Sequence, residues 1–122
     1  MAAADPPADD PAVQKREHVR RLLEVPAVVT GSGGDETAAH IVDIARMGVG
    51  FVTDAALPPD SMRTLKFRFP GETVLDEAVI DIVYSQPIGT QGRVRHGARF
   101  LDLPEECVAR IIDYVTGGRW AE

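Results

Sequence analysis

From Met62 to Phe69 the chain alternates with a period of two, Leu65, Phe67 and Phe69 on one face and Thr64, Lys66 and Arg68 on the other. A helix, turning about 100° per residue, scatters such a pattern around its axis, so the stretch predicts a half-buried strand. The punctuation around it predicts more of the same. Leu23–Thr30 is apolar and β-branched and stops at Gly31-Ser32-Gly33-Gly34. His40–Ala45 and Gly48–Thr53 follow as strands two and three, divided by Arg46-Met47. Pro70-Gly71 is a turn signal leading into Val74–Tyr84, and Gly89–Gly92 leads into Arg93–Leu101. In that last stretch Val94, His96, Ala98 and Phe100 share one face, while Arg93, Arg95 and Arg99 share the other.

One helix is predicted at the end of the chain. Asp102 and Glu105 have the spacing of a capping box, with Pro104 in the first turn. Cys107, Val108, Ile111, Ile112 and Val115 then fall on one side, and Gly117-Gly118 ends the helix. Six short strands and one amphipathic helix predict a mainly β fold, a six-stranded antiparallel β-barrel of the split-barrel kind with a C-terminal α-helix packed against it. Residues 1–12, with Asp5, Asp9 and Asp10 among prolines and alanines, bury too little to offset their ordering entropy and are expected to be a disordered tail. Residues 13–22 form an arginine-bearing loop, and 23–122 the barrel with its helix.

At 122 residues and 44% hydrophobic, the chain is long enough for one domain with its own core. Its net charge of −6 makes it a poor general binder of nucleic acid or anionic membrane. The single cysteine excludes an internal disulfide and a Cys-based zinc site. No apolar run approaches the ~20 residues of a membrane span. The opening MAAADPPADD lacks the basic start and apolar stretch of a secretory signal, so a cytoplasmic protein without membrane insertion is expected.

Enzymatic chemistry finds little support. His18, His40 and His96 lie on three separate elements, and none has another histidine or cysteine three or four positions along. His96 alternates with Val94 and Ala98 and reads as a half-buried core histidine, and Cys107 reads as packing. Asp76, Glu77 and Asp81 alternate around a strand, and Gly31–Gly34 precedes a strand where a phosphate-binding loop precedes a helix. No catalytic residue, metal or cofactor is expected.

The basic run QKREHVRR places Lys15, Arg16, Arg20 and Arg21 within seven positions, directly before the first strand. Alone it reads as a solvated basic arm or as an electrostatic grip on nucleic acid. The second reading suffers from the absence of interleaved aromatics. Asp43-Ile44-Ala45-Arg46-Met47-Gly48 alone reads as a hairpin in which Asp43 caps the turn and Gly48 supplies an unusual backbone angle. In this order on a small barrel, the two resemble the PilZ family of cyclic di-GMP receptors. That family carries an Arg-x-x-x-Arg loop and then an [Asp/Asn]-x-Ser-x-x-Gly motif. The first is matched by Arg16-Glu17-His18-Val19-Arg20; the second is matched at Asp43 and Gly48, with Ala45 in the place of the serine. Gly97-Ala98-Arg99-Phe100 resembles the family's last-strand Gly-x-x-Phe, and the resemblance covers about residues 13–118.

The resemblance implies a cyclic di-GMP site built from Arg16, Arg20, Asp43, Ala45 and Gly48, with Arg21, Gly97 and Arg99 as secondary contributors. The ligand's chemistry suits these residue types. Cyclic di-GMP is a dianion with two guanines, each offering a flat face and an O6/N7 acceptor edge. A guanidinium bonds that edge or a phosphate with its planar fork and stacks on a base, which lysine does not. An ionised Asp43 accepts from guanine N1–H and N2–H. The resemblance further implies that the ligand orders the arm over residues 13–21 and changes contact with a downstream protein partner. The alternative reading is a nucleotide-independent adaptor in pilus or flagellar control, which the missing serine favours and the complete arginine pair opposes. The role of Trp120 is left open between a partner anchor and docking on its own barrel.

Overall fold

A computed structural model describes residues 20–117 of the chain. Strands β1 (Arg20–Thr30), β2 (Glu36–Ala45), β3 (Gly48–Thr53), β4 (Ser61–Phe67), β5 (Asp76–Ile88) and β6 (Arg93–Asp102) precede helix α1 (Glu105–Val115). Every neighbouring pair is antiparallel, and the order β1-β2-β3-β6-β5-β4 closes through pairing of β4 with β1. The expected six-stranded barrel with its C-terminal helix is the observed fold. The expected 1–12 tail, and with it Lys15, Arg16, His18 and Trp120, lies outside the described residues.

Period-two alternation builds the core. Leu23, Val25, Ala27 and Val29 of β1 point inward with Leu65 and Phe67 of β4 and Ala78, Ile80 and Ile82 of β5. Strand boundaries move where pairing outlasts the apolar pattern. The first strand begins at Arg20 rather than Leu23, because Arg20, Arg21 and Leu22 pair with Ala45, Ile44 and Asp43. The second of the two arginines in the expected loop is therefore a strand residue. Pro70-Gly71 does not join two strands directly. The Glu72 N–H donates to the Phe69 carbonyl at 3.1 Å, with φ +79° at Gly71, and β5 starts only at Asp76.

The capping box expected at Asp102 and Glu105 does not form. Asp102 still pairs with Val79 in the sheet, and Pro104 takes the N-cap position with no side-chain bond to the helix. Glu105 and Glu106 in the first turn complement the helix dipole instead. The buried face is Cys107, Ile111 and Tyr114; Ile112, expected in the core, is exposed. Tyr114 docks the helix. Its ring lies 5.4 Å from that of Phe69, and its hydroxyl donates to the Leu22 carbonyl at 2.5 Å. Arg110 adds a fork of bonds to the buried Asp76 carboxylate, which raises the pKa of the Arg110 guanidinium.

Residues 54–60 cross from β3 to β4 and are held by a buried polar cluster. Thr53 Oγ1 donates to the Ala55 carbonyl and Ser85 Oγ to the Leu57 carbonyl, both at 2.5 Å. The two hydroxyls also bracket His96, at 2.8 Å from Nε2 and Nδ1 respectively. A neutral His96 donates its single N–H to one hydroxyl and accepts from the other, which must turn its proton from its carbonyl to the ring. His96 is fully buried, beyond the half-burial expected, and stacks on Phe51 at 5.0 Å. Burial lowers its pKa, and the Arg63 charge adds to the lowering against a hydrogen bond to the Ala55 backbone.

Candidate functional site

Asp43 points away from the core of β2 with 19% of its side chain exposed, and two arginines share its carboxylate. Arg20 Nη2 donates to Oδ1 at 3.1 Å from the start of β1. Arg95 Nη2 donates to Oδ2 at 3.0 Å from β6, reaching over β3. The second contact depends on a glycine. Asp43 pairs with Gly50 of β3, and a Cβ at that position would lie 2.6 Å from Asp43 Oδ1 and 2.9 Å from Arg95 Nη2. The guanidinium is held charged first by hydrogen bonding with Tyr84, with burial opposing and Asp43 adding to the rise in its pKa. Two cations on one carboxylate leave the cluster with a surplus positive charge on an otherwise acidic protein.

The registers extend this cluster into a row across five strands. Leu22 pairs with Asp43, Asp43 with Gly50, Gly50 with Gly97, and Gly97 with Tyr84. Register shifts fall beside Leu22, Asp43 and Tyr84, as β-bulges do where a strand must re-aim side chains. The shift in β5 leaves Val83 and Tyr84 both exposed, and the Tyr84 ring covers Gly97, where any Cβ would overlap it.

The other residues singled out from the sequence are placed as follows. Ala45 lies opposite Arg20 with 4% exposure. Gly48 is buried and does not adopt a positive φ; its missing Cβ makes room for the Ala98 carbonyl oxygen, 2.6 Å from where that atom would be. Arg21 turns to the helix, donating to the Tyr114 carbonyl at 2.8 Å with its guanidinium 4.3 Å from the ring centroid. Arg99 is paired with Asp81 at 3.1 Å. The structure thus brings Arg20 and Asp43 together and gives Arg21 and Arg99 protein partners, while Arg16 falls outside the described residues. Tyr84 was not singled out from the sequence. Arg95 was legible as an outward arginine, but its bond to Asp43 depends on the order β2-β3-β6.

Among the described residues, no group of three or more His, Cys, Asp or Glu side chains is placed to hold a metal ion, and no helix is long and apolar enough to cross a membrane. The PilZ domain model matches residues 14–117, most of the chain. The chain belongs to the PilZ domain family. No curated protein matches its sequence. Solved structures similar to this PilZ chain include the inhibitor of motility MotI/DgrA of Bacillus subtilis, at 13% identity and TM-score 0.70 over 83% of this chain and 49% of that one. The PilZ domain of Escherichia coli YcgR, solved with c-di-GMP, matches at 11% identity and TM-score 0.66 over 88% of this chain and 93% of that one. The PilZ domain of CeSA from a cellulose-synthesizing bacterium matches at 16% identity and TM-score 0.56, over 80% of this chain and 95% of that one. The chain therefore spans about half of MotI and nearly all of the two isolated PilZ domains.

Proposed function

We propose that this PilZ domain is a receptor for cyclic di-GMP that binds the dinucleotide on the outer barrel face around Asp43 and passes the signal to a protein partner without catalysis. The observation that carries this reading is the pairing of Arg20 with Asp43 at 3.1 Å. It joins the last arginine of Arg-x-x-x-Arg to the acidic residue of the second motif, although they are 23 positions apart. Asp43 accepts from the guanine N1–H and N2–H donors, and Arg20 and Arg16 take base edges or phosphates with their forks. The YcgR PilZ domain with c-di-GMP supports the ligand class through its shared fold. Arg21, Gly97 and Arg99 remain secondary contributors in this reading, Arg21 beside Tyr114 and Arg99 beside Asp81.

Calorimetric titration of the full chain with cyclic di-GMP, beside GTP and cyclic di-AMP, tests the reading. Selective binding at micromolar concentration or tighter, lost in Arg20→Ala and Arg16→Ala, is the expected result; no heat at tens of micromolar overturns it. The second reading, a nucleotide-independent adaptor, draws on Ala45 and on the occupation of both Asp43 oxygens by arginines. It leads if the wild-type chain binds no nucleotide.

A further inference from the structure

The outward row of Leu22, Asp43, Gly50, Gly97 and Tyr84 continues well past the residues of the two motifs. Three strand spacings of about 4.8 Å separate the backbones of Tyr84 and Asp43, and the Tyr84 ring reaches back over Gly97, one strand nearer. The ring and the Asp43 carboxylate thus lie on either side of the Arg95 guanidinium, two separate places for a base. Between the two ends, position 50 carries no side chain and position 97 lies under the Tyr84 ring, so the floor is backbone covered by that ring and crossed by the Arg95 guanidinium. Tyr84 bounds the far end with its ring over Gly97 and 43% of its surface exposed, placed there by the register shift after Ile82. An aromatic face and a half-exposed guanidinium beside it are the two groups that hold a purine without reading its sequence, one by stacking and one by its planar fork.

We propose that Tyr84 and Arg95 form a second base subsite, in which one guanine of the cyclic dinucleotide stacks on the Tyr84 ring and offers its O6/N7 edge to Arg95, while Asp43 reads the other guanine. This rests on the receptor reading above and deepens it. Tyr84 belongs to neither family motif matched in this chain. Its place in the site follows from the pairing of β5 with β6 and from the glycine beneath it. The subsite uses the ring's π face, so a phenylalanine serves and an aliphatic side chain of similar bulk does not.

The test compares wild type, Tyr84→Phe and Tyr84→Leu as full chains, titrated with cyclic di-GMP, with unchanged melting temperatures verifying the fold. Tyr84→Leu is expected to lose about 5- to 150-fold in affinity, the range for one base–aromatic stack, and Tyr84→Phe to stay within about threefold of wild type. The complex is also expected to show an upfield shift of one guanine H8 and a nuclear Overhauser contact from it to the Tyr84 ring, both absent in Tyr84→Leu. Wild-type binding with equal affinity in Tyr84→Leu, or with no H8–ring contact, overturns the second subsite and leaves the receptor reading standing. Absence of binding by the wild type overturns both.

Discussion

Arg95 reaches Asp43 across an intervening strand, at 3.0 Å, through a gap that exists because Gly50 has no side chain. Gly48, two residues earlier on β3, is also packed tightly, but against the Ala98 backbone carbonyl, and the difference is measurable. In Gly50→Ala the added methyl meets only the ends of two side chains. The Asp43–Arg95 pair is partly exposed, and such pairs contribute about 0–1 kcal/mol after screening, so the melting temperature is expected to change little. In Gly48→Ala the methyl meets backbone that cannot swing aside, and overpacking is expected to cost about 1–3 kcal/mol. Thermal denaturation of the two variants separates the cases, and calorimetry with cyclic di-GMP is expected to show Gly50→Ala impaired in binding while fully folded.

Ala45→Ser restores the hydroxyl that the family motif carries. One neutral hydrogen bond is worth about 0.5–1.5 kcal/mol net, so affinity for cyclic di-GMP is expected to rise by up to about tenfold. An unchanged or weaker dissociation constant in the serine variant would show that position 45 does not touch the ligand.

Acidification is expected to destabilise the fold through His96. Its folded pKa lies below the ordinary value, mainly through burial, with Arg63 adding positive charge nearby. The unfolded chain therefore binds the proton more readily than the folded one. Stability from this residue is full above the unfolded pKa of about 6.5 and is lost as pH falls from there through the lowered folded value. Melting curves between pH 8 and pH 5 should show the decline, with a shallower slope in His96→Gln. The neutral imidazole has one bare nitrogen, so either Thr53 or Ser85 turns its hydroxyl from its carbonyl to donate to the ring. Nitrogen shifts of the ring report which hydroxyl turns.

Cys107 is expected to be inert in the folded protein. It is fully buried in the core, and burial, with Asp76 beside it, pushes its thiol up to about 12. A thiol reagent at pH 8 should label it only at the rate of unfolding; fast labelling of the native chain would contradict its packing. Removing its neighbour's partner, in Arg110→Ala, leaves the Asp76 carboxylate buried and uncompensated and is expected to cost about 3–5 kcal/mol.

How far these features were legible depends on whether they are local. The alternation at Leu65 and Phe67 is a property of consecutive residues, and it identified a strand and its buried face correctly. The capping box at Asp102 was also a local reading, and it failed because pairing with Val79 keeps that residue in the sheet. Arg20 and Asp43 could be joined through motif order. Arg95 could not, since its bond to Asp43 depends on the crossover that places β6 beside β3. Tyr84 was hidden by a register shift: strict alternation from Ile82 would have turned its ring inward. Tyr114 fell outside the apolar stripe drawn on the helix, because its body is apolar while its hydroxyl finds the Leu22 carbonyl.

The pairing of β4 with β1 has a consequence for how such a domain speaks to other proteins. An open sheet offers a row of unpaired amides that an incoming chain can extend, which is among the simplest ways to recruit a peptide. In this ring β4 pairs with only Ala27–Thr30 of β1 and Asp76–Ile82 of β5, so any margin for strand addition is confined to the remaining lengths of those two strands. Over the closed part of the ring a partner must read side chains, and a change in those side chains is a message the barrel can carry without altering its own backbone.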